Sequence, residues 1–196
     1  MHMPRKITEA DIQPIADYGR QRAERRRAMA ALKRDRRAEV GPYVTFYFES
    51  FATMLHQVHE MLFIEKGGAA QLPDELRAYN PLIPDGSELV ATMMIEIDDP
   101  LRRARVLGQL GNIDRSIALQ FAGESVAVRP EADQPRTDDS GKASSVHFVH
   151  FPFTASQIAK FRAPGTQVIV SIDHQNYRHM AVLPEPVRAT LAQDFD

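Results

Sequence analysis

The chain contains no cysteine. That single absence excludes disulfides, thiolate zinc sites, iron–sulfur ligation by this chain and cysteine nucleophiles. Any metal would have to be held by His, Asp, Glu or backbone oxygens. Long apolar runs are missing too: nowhere do about eighteen apolar residues follow one another. The start, "MHMPRKITEADIQP", has no apolar h-region and is charged by position 5. A cytoplasmic protein with no membrane partner is the expectation. No P-loop or nucleophile elbow occurs, and "GQLGN" (108–112) lacks both the preceding strand and the third glycine of a dinucleotide fingerprint. The sequence therefore supplies acids and bases but names no reaction, and enzymatic activity stays open.

What is present is ordinary globular material. With 196 residues, 43% hydrophobic and 26% charged, the chain suits one domain over 1–196 with a sizeable core. The net charge of −2 hides an asymmetry. Residues 1–40 carry eleven Lys/Arg against six Asp/Glu, while the rest carries thirteen against twenty. From Ile15 to about Arg37 good helix formers dominate, with a thin apolar stripe of Ile15, Tyr18, Met29 and Leu32. This predicts a basic helical arm (1–40) on an acidic body (41–196).

Within the body, "YVTFYFE" (43–49) alternates like a strand, with Val44, Phe46 and Phe48 on one side. Ser50 then caps a helix that Gly67-Gly68 ends. Further strands are predicted at 88–97, 116–121, 125–129, 145–153 and 166–173, the second and third joined in a hairpin at Gly123. Helices are predicted near 74–79, 99–110, 154–162 and 186–193. Residues 130–145 are polar, rich in Pro, Gly and Ser, and predict a mobile loop. The sum is an α+β fold: an antiparallel or mixed sheet of about five to six strands with helices packed against it.

The stretch "LHQVHEMLF" (55–63) places His56, His59 and Glu60 outside the apolar face made by Phe51, Met54, Leu55, Val58, Met61 and Leu62. Metalloprotease helices need HExxH or HxxEH, and HxxHE is neither. This predicts a solvated or interfacial helix face. "DHQNYRH" (173–179) sits at the end of a strand and offers Asp173, His174 and His179 as metal ligands, with Tyr177 and Arg178 to orient an anionic ligand. His147 lies on a strand with apolar residues on both faces, so its imidazole must bond or coordinate something. Iron, manganese or zinc is the divalent cofactor such a set would take. Structural readings compete: a satisfied core imidazole at His147, and an Asp–His pair fixing the loop while Arg178 bridges to a carboxylate. The polar residues of alternate strand positions, Tyr47 with Glu49, Thr92 with Glu96, Ser116 with Gln120 and Ser171 with Asp173, would form one polar cup if those faces align.

Five stretches together, "GPYVTFYFE" (41–49), "QVHEML" (57–62), "AYNPLIPDGSEL" (78–89), "SSVHFVHFPFT" (144–154) and "DHQNYRH", carry a resemblance over nearly the whole chain. In this order and spacing the sequence resembles the bacterial family of unknown function DUF3501. The resemblance implies one α+β domain and no established activity. Genes for rubrerythrin-like and iron–sulfur proteins near those of the family imply an iron- or peroxide-linked setting, with such proteins as partners. The family pattern usually has Gln at the position of His59, which leaves Glu60 as the more interesting residue of that helix. Asp173, His174, Tyr177, His179 and His147 match it.

The leading expectation is therefore a ligand- or metal-binding accessory protein, its site at His147 and Asp173–His179 with Glu49, Glu60 or Glu96 contributing. A protein–protein adaptor without a chemical site is the alternative, and self-association through the 50–66 helix or the arm is expected. Nucleic acid binding through Arg20–Arg37 is the third reading. It is disfavoured because the arm lacks interleaved aromatics and the chain is net negative.

Overall fold

The computed structural model describes residues 5–131 and 136–196. Helix α1 (Ile15–Arg34) opens the chain. Two short antiparallel strands follow, β1 (Arg37–Val40) and β2 (Val44–Phe48), then α2 (Phe51–Glu65) and α3 (Leu72–Tyr79). Next come β3 (Glu88–Ile95), α4 (Pro100–Leu107), β4 (Ile117–Phe121), β5 (Glu124–Ala127) and β6 (Arg129–Pro130). The chain closes with β7 (Val146–Pro152), α5 (Ala155–Arg162), β8 (Val168–His174), β9 (Tyr177–Val182) and α6 (Glu185–Leu191). The strands form two antiparallel sheets, a larger one in the order β1-β2-β3-β7-β6 and a smaller one in the order β5-β4-β8-β9. The α+β class is as the sequence predicts, but the strands divide into two packed layers.

Alternation explains the layering. Val44, Phe46 and Phe48 of β2, with Leu89, Ala91, Met93 and Ile95 of β3, turn inward to meet Leu119, Val168 and Val170 of the smaller sheet. Phe121, Phe153, Phe161 and Phe195 close one end of this core, with ring centroids 4.7–5.6 Å apart. Each such ring fully buried contributes about 1.5–3 kcal/mol. A second, smaller core lies on the opposite face of the larger sheet, where Met54, Val58 and Leu62 of α2 cover Val90 and Phe148. The apolar face of α2 is thus occupied within the chain.

Three local features depart from the sequence reading. The basic helix stops at Arg34, and residues 37–40 pair with β2 as an edge strand, Arg37 opposite Tyr47 and Val40 opposite Val44. "DHQNYRH" is a β-hairpin, with His174 opposite Tyr177. The 130–145 segment is partly ordered: Thr137 and Ala143 bridge, and the Asp138 carboxylate accepts from Ser140 and Lys142 amides. Residues 132–135 of that expected loop lie outside the described residues. The hairpin expected at Gly123 forms, with Ala122 (φ 47°) and Gly123 (φ 76°) both left-handed, the geometry that fits the twist of paired strands. Among the described residues no helix is long and apolar enough to cross a membrane.

Candidate functional site

His56, His59 and Glu60 face α1. Tyr18, fully buried, stacks on the His59 ring at 4.9 Å and donates its hydroxyl to Glu60 at 2.6 Å. Arg22 grips the same carboxylate with two nitrogens at 2.8 and 2.9 Å. These bonds, Arg22 foremost, hold the Glu60 carboxyl at about 2 against the opposing effect of burial. His59 accepts from the Gln13 amide at 3.2 Å through Nε2, while its Nδ1 lies 2.8 Å from the Leu55 carbonyl and must donate to it. Both ring nitrogens are used, and burial lowers the pKa of this imidazole. Gly19 lets the helices approach, since a Cβ there would stand 2.8 Å from Phe63. The interfacial reading of this face is what the structure shows; Glu60 is a fastening of α1 to α2.

The second predicted cluster is dispersed. Asp173 and Arg178 pair across β8 and β9 at 3.0 Å, both largely in solvent. His174 must donate through Nε2 to the Gly111 carbonyl at 3.1 Å, and its Nδ1 accepts from the Asn176 amide at 3.3 Å, so no lone pair is left for a metal. The Tyr177 hydroxyl is buried; it donates to the Val40 carbonyl at 2.8 Å and accepts from the Tyr43 and Val44 amides at 3.0 and 3.1 Å. It ties β9 to the β1–β2 turn. His179 leans on Tyr177 with ring centroids 4.5 Å apart, over Gly41, whose φ of 70° and lack of Cβ make room for both rings. His147 is fully buried, as its strand position predicts. Its Nε2 donates to the Ser144 carbonyl at 2.9 Å, and its Nδ1 faces the buried Asp114 carboxylate at 3.7 Å. Among the described residues no group of three His, Asp or Glu converges as a metal site. His147, Asp173, His174 and His179 are not brought together as one.

The predicted polar cup divides between the sheets. Gln120 and Ser171 neighbour each other on the smaller sheet at 3.4 Å, and Asp173 with its partner Arg178 belongs to that sheet too. On the larger sheet, Tyr47, Glu49 and Thr92 share the outer face and line a cleft of about 380 Å³. Lys33 of α1, Met54 and Gln57 of α2, and Tyr79 of α3 complete its helical side, and Leu82, Met94, Val146 and Phe148 its apolar wall. Glu96 stands just outside, accepting from the Tyr47 hydroxyl at 3.2 Å.

Glu49 lies at the bottom, 4% exposed. Its two carboxylate oxygens accept from the hydroxyls of Thr53 at 2.6 Å and Thr92 at 2.7 Å. Among the described residues no Lys, Arg or His nitrogen lies within 4 Å of that carboxylate. The nearby Arg36 is committed elsewhere: it pairs with buried Asp194 and donates to the carbonyls of Phe48 and Glu49 at 3.2 and 3.3 Å. Lys33, half-buried in the last turn of α1, has no acidic partner within 4 Å among the described residues either. Lys33, Gln57 and Tyr79 had no signal in the sequence as site residues. Only the packing of three helices over one sheet face brings them together.

The comparisons agree with this fold. A novel protein of unknown function from Burkholderia pseudomallei, known from a crystal structure, is 32% identical and superposes with a TM-score of 0.90, over 97% of this chain and 100% of that one. No curated protein matches. The profile described as "Protein of unknown function (DUF3501)" matches residues 6–195, and the chain belongs to that family.

Proposed function

We propose that the protein binds a small organic molecule in the cleft on the outer face of the larger sheet. One observation carries the reading: Glu49 is a buried carboxylate with two hydroxyl donors and, among the described residues, no cation, at the bottom of an open, mostly apolar cleft. Buried charges are ordinarily paired, because desolvation penalises an isolated one by several kcal/mol. A ligand that brings a donor or a positive charge supplies the missing partner. The volume, about 380 Å³, sits at the small end of the range for ligand pockets. An organic ligand is favoured over a metal because the described His, Asp and Glu donors do not converge.

The test is a thermal-shift screen of the full chain against a metabolite library that spans amines, acids, zwitterions and neutral compounds. Compounds that raise the melting temperature are repeated on Met94→Trp, which fills the cleft from its apolar wall. A ligand that stabilises the wild type saturably and leaves Met94→Trp unmoved supports the reading. A library without such a compound overturns it and favours the adaptor reading.

A further inference from the structure

Resting on that cleft as the binding site, we infer that its ligand is a small zwitterion, of the class of an α-amino acid with an apolar side chain: the ammonium is received by Glu49, the carboxylate by Lys33, and the apolar body by Met94, Val146 and Phe148. The two charges of the cleft carry the inference. Glu49, at the floor, has acceptor capacity left after Thr53 and Thr92, since each carboxylate oxygen takes a single hydrogen bond and can take another. Lys33 presents three donors from the α1 side of the same cleft and makes no hydrogen bond or ion pair of its own among the described residues. The remaining polar groups suit either end: the Tyr79 hydroxyl receives the Gln57 amide at 3.4 Å and keeps its own proton to donate.

Elimination gives the same class. A simple anion would be drawn to Lys33 but repelled by the desolvated carboxylate of Glu49. A simple amine would satisfy Glu49 but leave Lys33, in the same cleft, without a negative partner. A neutral apolar molecule would exclude water from Glu49 and leave it with no positive partner. Only a molecule with both charges answers both residues, and a charge placed against the buried Glu49 carboxylate is screened less than at a surface.

The test uses matched compounds on the full chain by isothermal titration calorimetry at neutral pH: L-leucine and L-phenylalanine, the amines isoamylamine and phenethylamine, and the acids 4-methylpentanoate and 3-phenylpropionate. At least one amino acid is expected to bind ten-fold or more tightly than both its amine and its acid. Lys33→Met should weaken the amino acid about ten-fold and bring it level with the amine. Glu49→Gln should weaken amino acid and amine together and let the acid bind better than it does to the wild type. An amine or an acid that binds as well as the amino acid overturns the zwitterion. So does a Met94→Trp-sensitive ligand of another class from the library, though the cleft then stands as the site. If neither the library nor the matched set binds, the zwitterion and the cleft fall together.

Discussion

Two glutamates, one just before α2 and one within it, show how the same side chain takes on different work. Glu60 and Glu49 are both turned away from bulk water, and each accepts hydrogen bonds from a neighbouring hydroxyl. Glu60 also has Arg22, in a two-pronged grip that completes its needs within the chain. Among the described residues, Glu49 has only hydroxyls for partners, and an open cleft beside it. A buried carboxylate whose charge is answered internally fastens secondary structure; one whose charge is not answered is available to something from outside. Residue type and burial do not separate the two. The position of the nearest guanidinium does.

The largest effect is expected where a carboxylate and a guanidinium are buried together. Arg36 and Asp194 join the start of β1 to the C-terminal tail, and burial pushes the Asp194 carboxyl up to about 6 even with Arg36 opposing. Arg36→Met should leave Asp194 uncompensated and destabilise the fold by about 3–5 kcal/mol in urea denaturation. A loss under about 1 kcal/mol would show that the pair does not hold the tail.

Glu60→Gln comes next, at roughly 2 kcal/mol, because it weakens charge-assisted bonds to Arg22 and Tyr18. Its pH signature is specific. The folded carboxyl sits at about 2 against an ordinary 4.5, so its stabilisation is complete above 4.5 and fades as the pH falls toward 2. Burial also lowers the pKa of His56 and His59, which adds a separate loss of stability starting as the pH drops through 6.5. In melts from pH 8 to pH 3, Glu60→Gln should flatten the lower part of this decline and leave the upper part at least as steep, since the Glu60 charge raises the pKa of His56 against burial. A variant that melts in parallel with the wild type at every pH would end the idea that Glu60 is answered by charge.

Much of this contrast was hidden in the sequence, for a physical reason. Alternation in 43–49 and 88–97 placed Glu49 and Thr92 on the polar side of their strands, and the helical spacing of 55–63 put Glu60 off the apolar face. Periodicity reports which way a side chain points; it cannot report what stands opposite. Arg22 and Lys33 are eleven residues apart in one basic helix, and nothing in their spacing says that one meets Glu60 while the other lines the cleft. The same limit explains "DHQNYRH", where ligand-type residues turn into a hairpin and the lone pair of His174 is taken by a backbone amide, as that of His59 is on α2. Strand β1 was obscured because four residues, Arg37–Val40, offer too short an alternation to outweigh the helix formers before them.

The smallest effect on stability is expected at Glu49 itself, and it sharpens the comparison most. In the absence of ligand, Glu49→Gln removes a desolvated charge and keeps a carbonyl that can accept from Thr53 or Thr92, while the other hydroxyl can rotate to receive the new amide. Replacing a buried charge by a neutral group of the same shape is often neutral or stabilising. The urea midpoint should therefore move by less than about 1 kcal/mol, in either direction, where Glu60→Gln loses roughly twice that or more. A loss at Glu49 as large as at Glu60 would mean that the fold uses its charge after all, and would place both carboxylates in the scaffold. Little change in stability, together with the loss of amine recognition in the cleft, would mean that the chain keeps Glu49 buried for a partner from outside the fold.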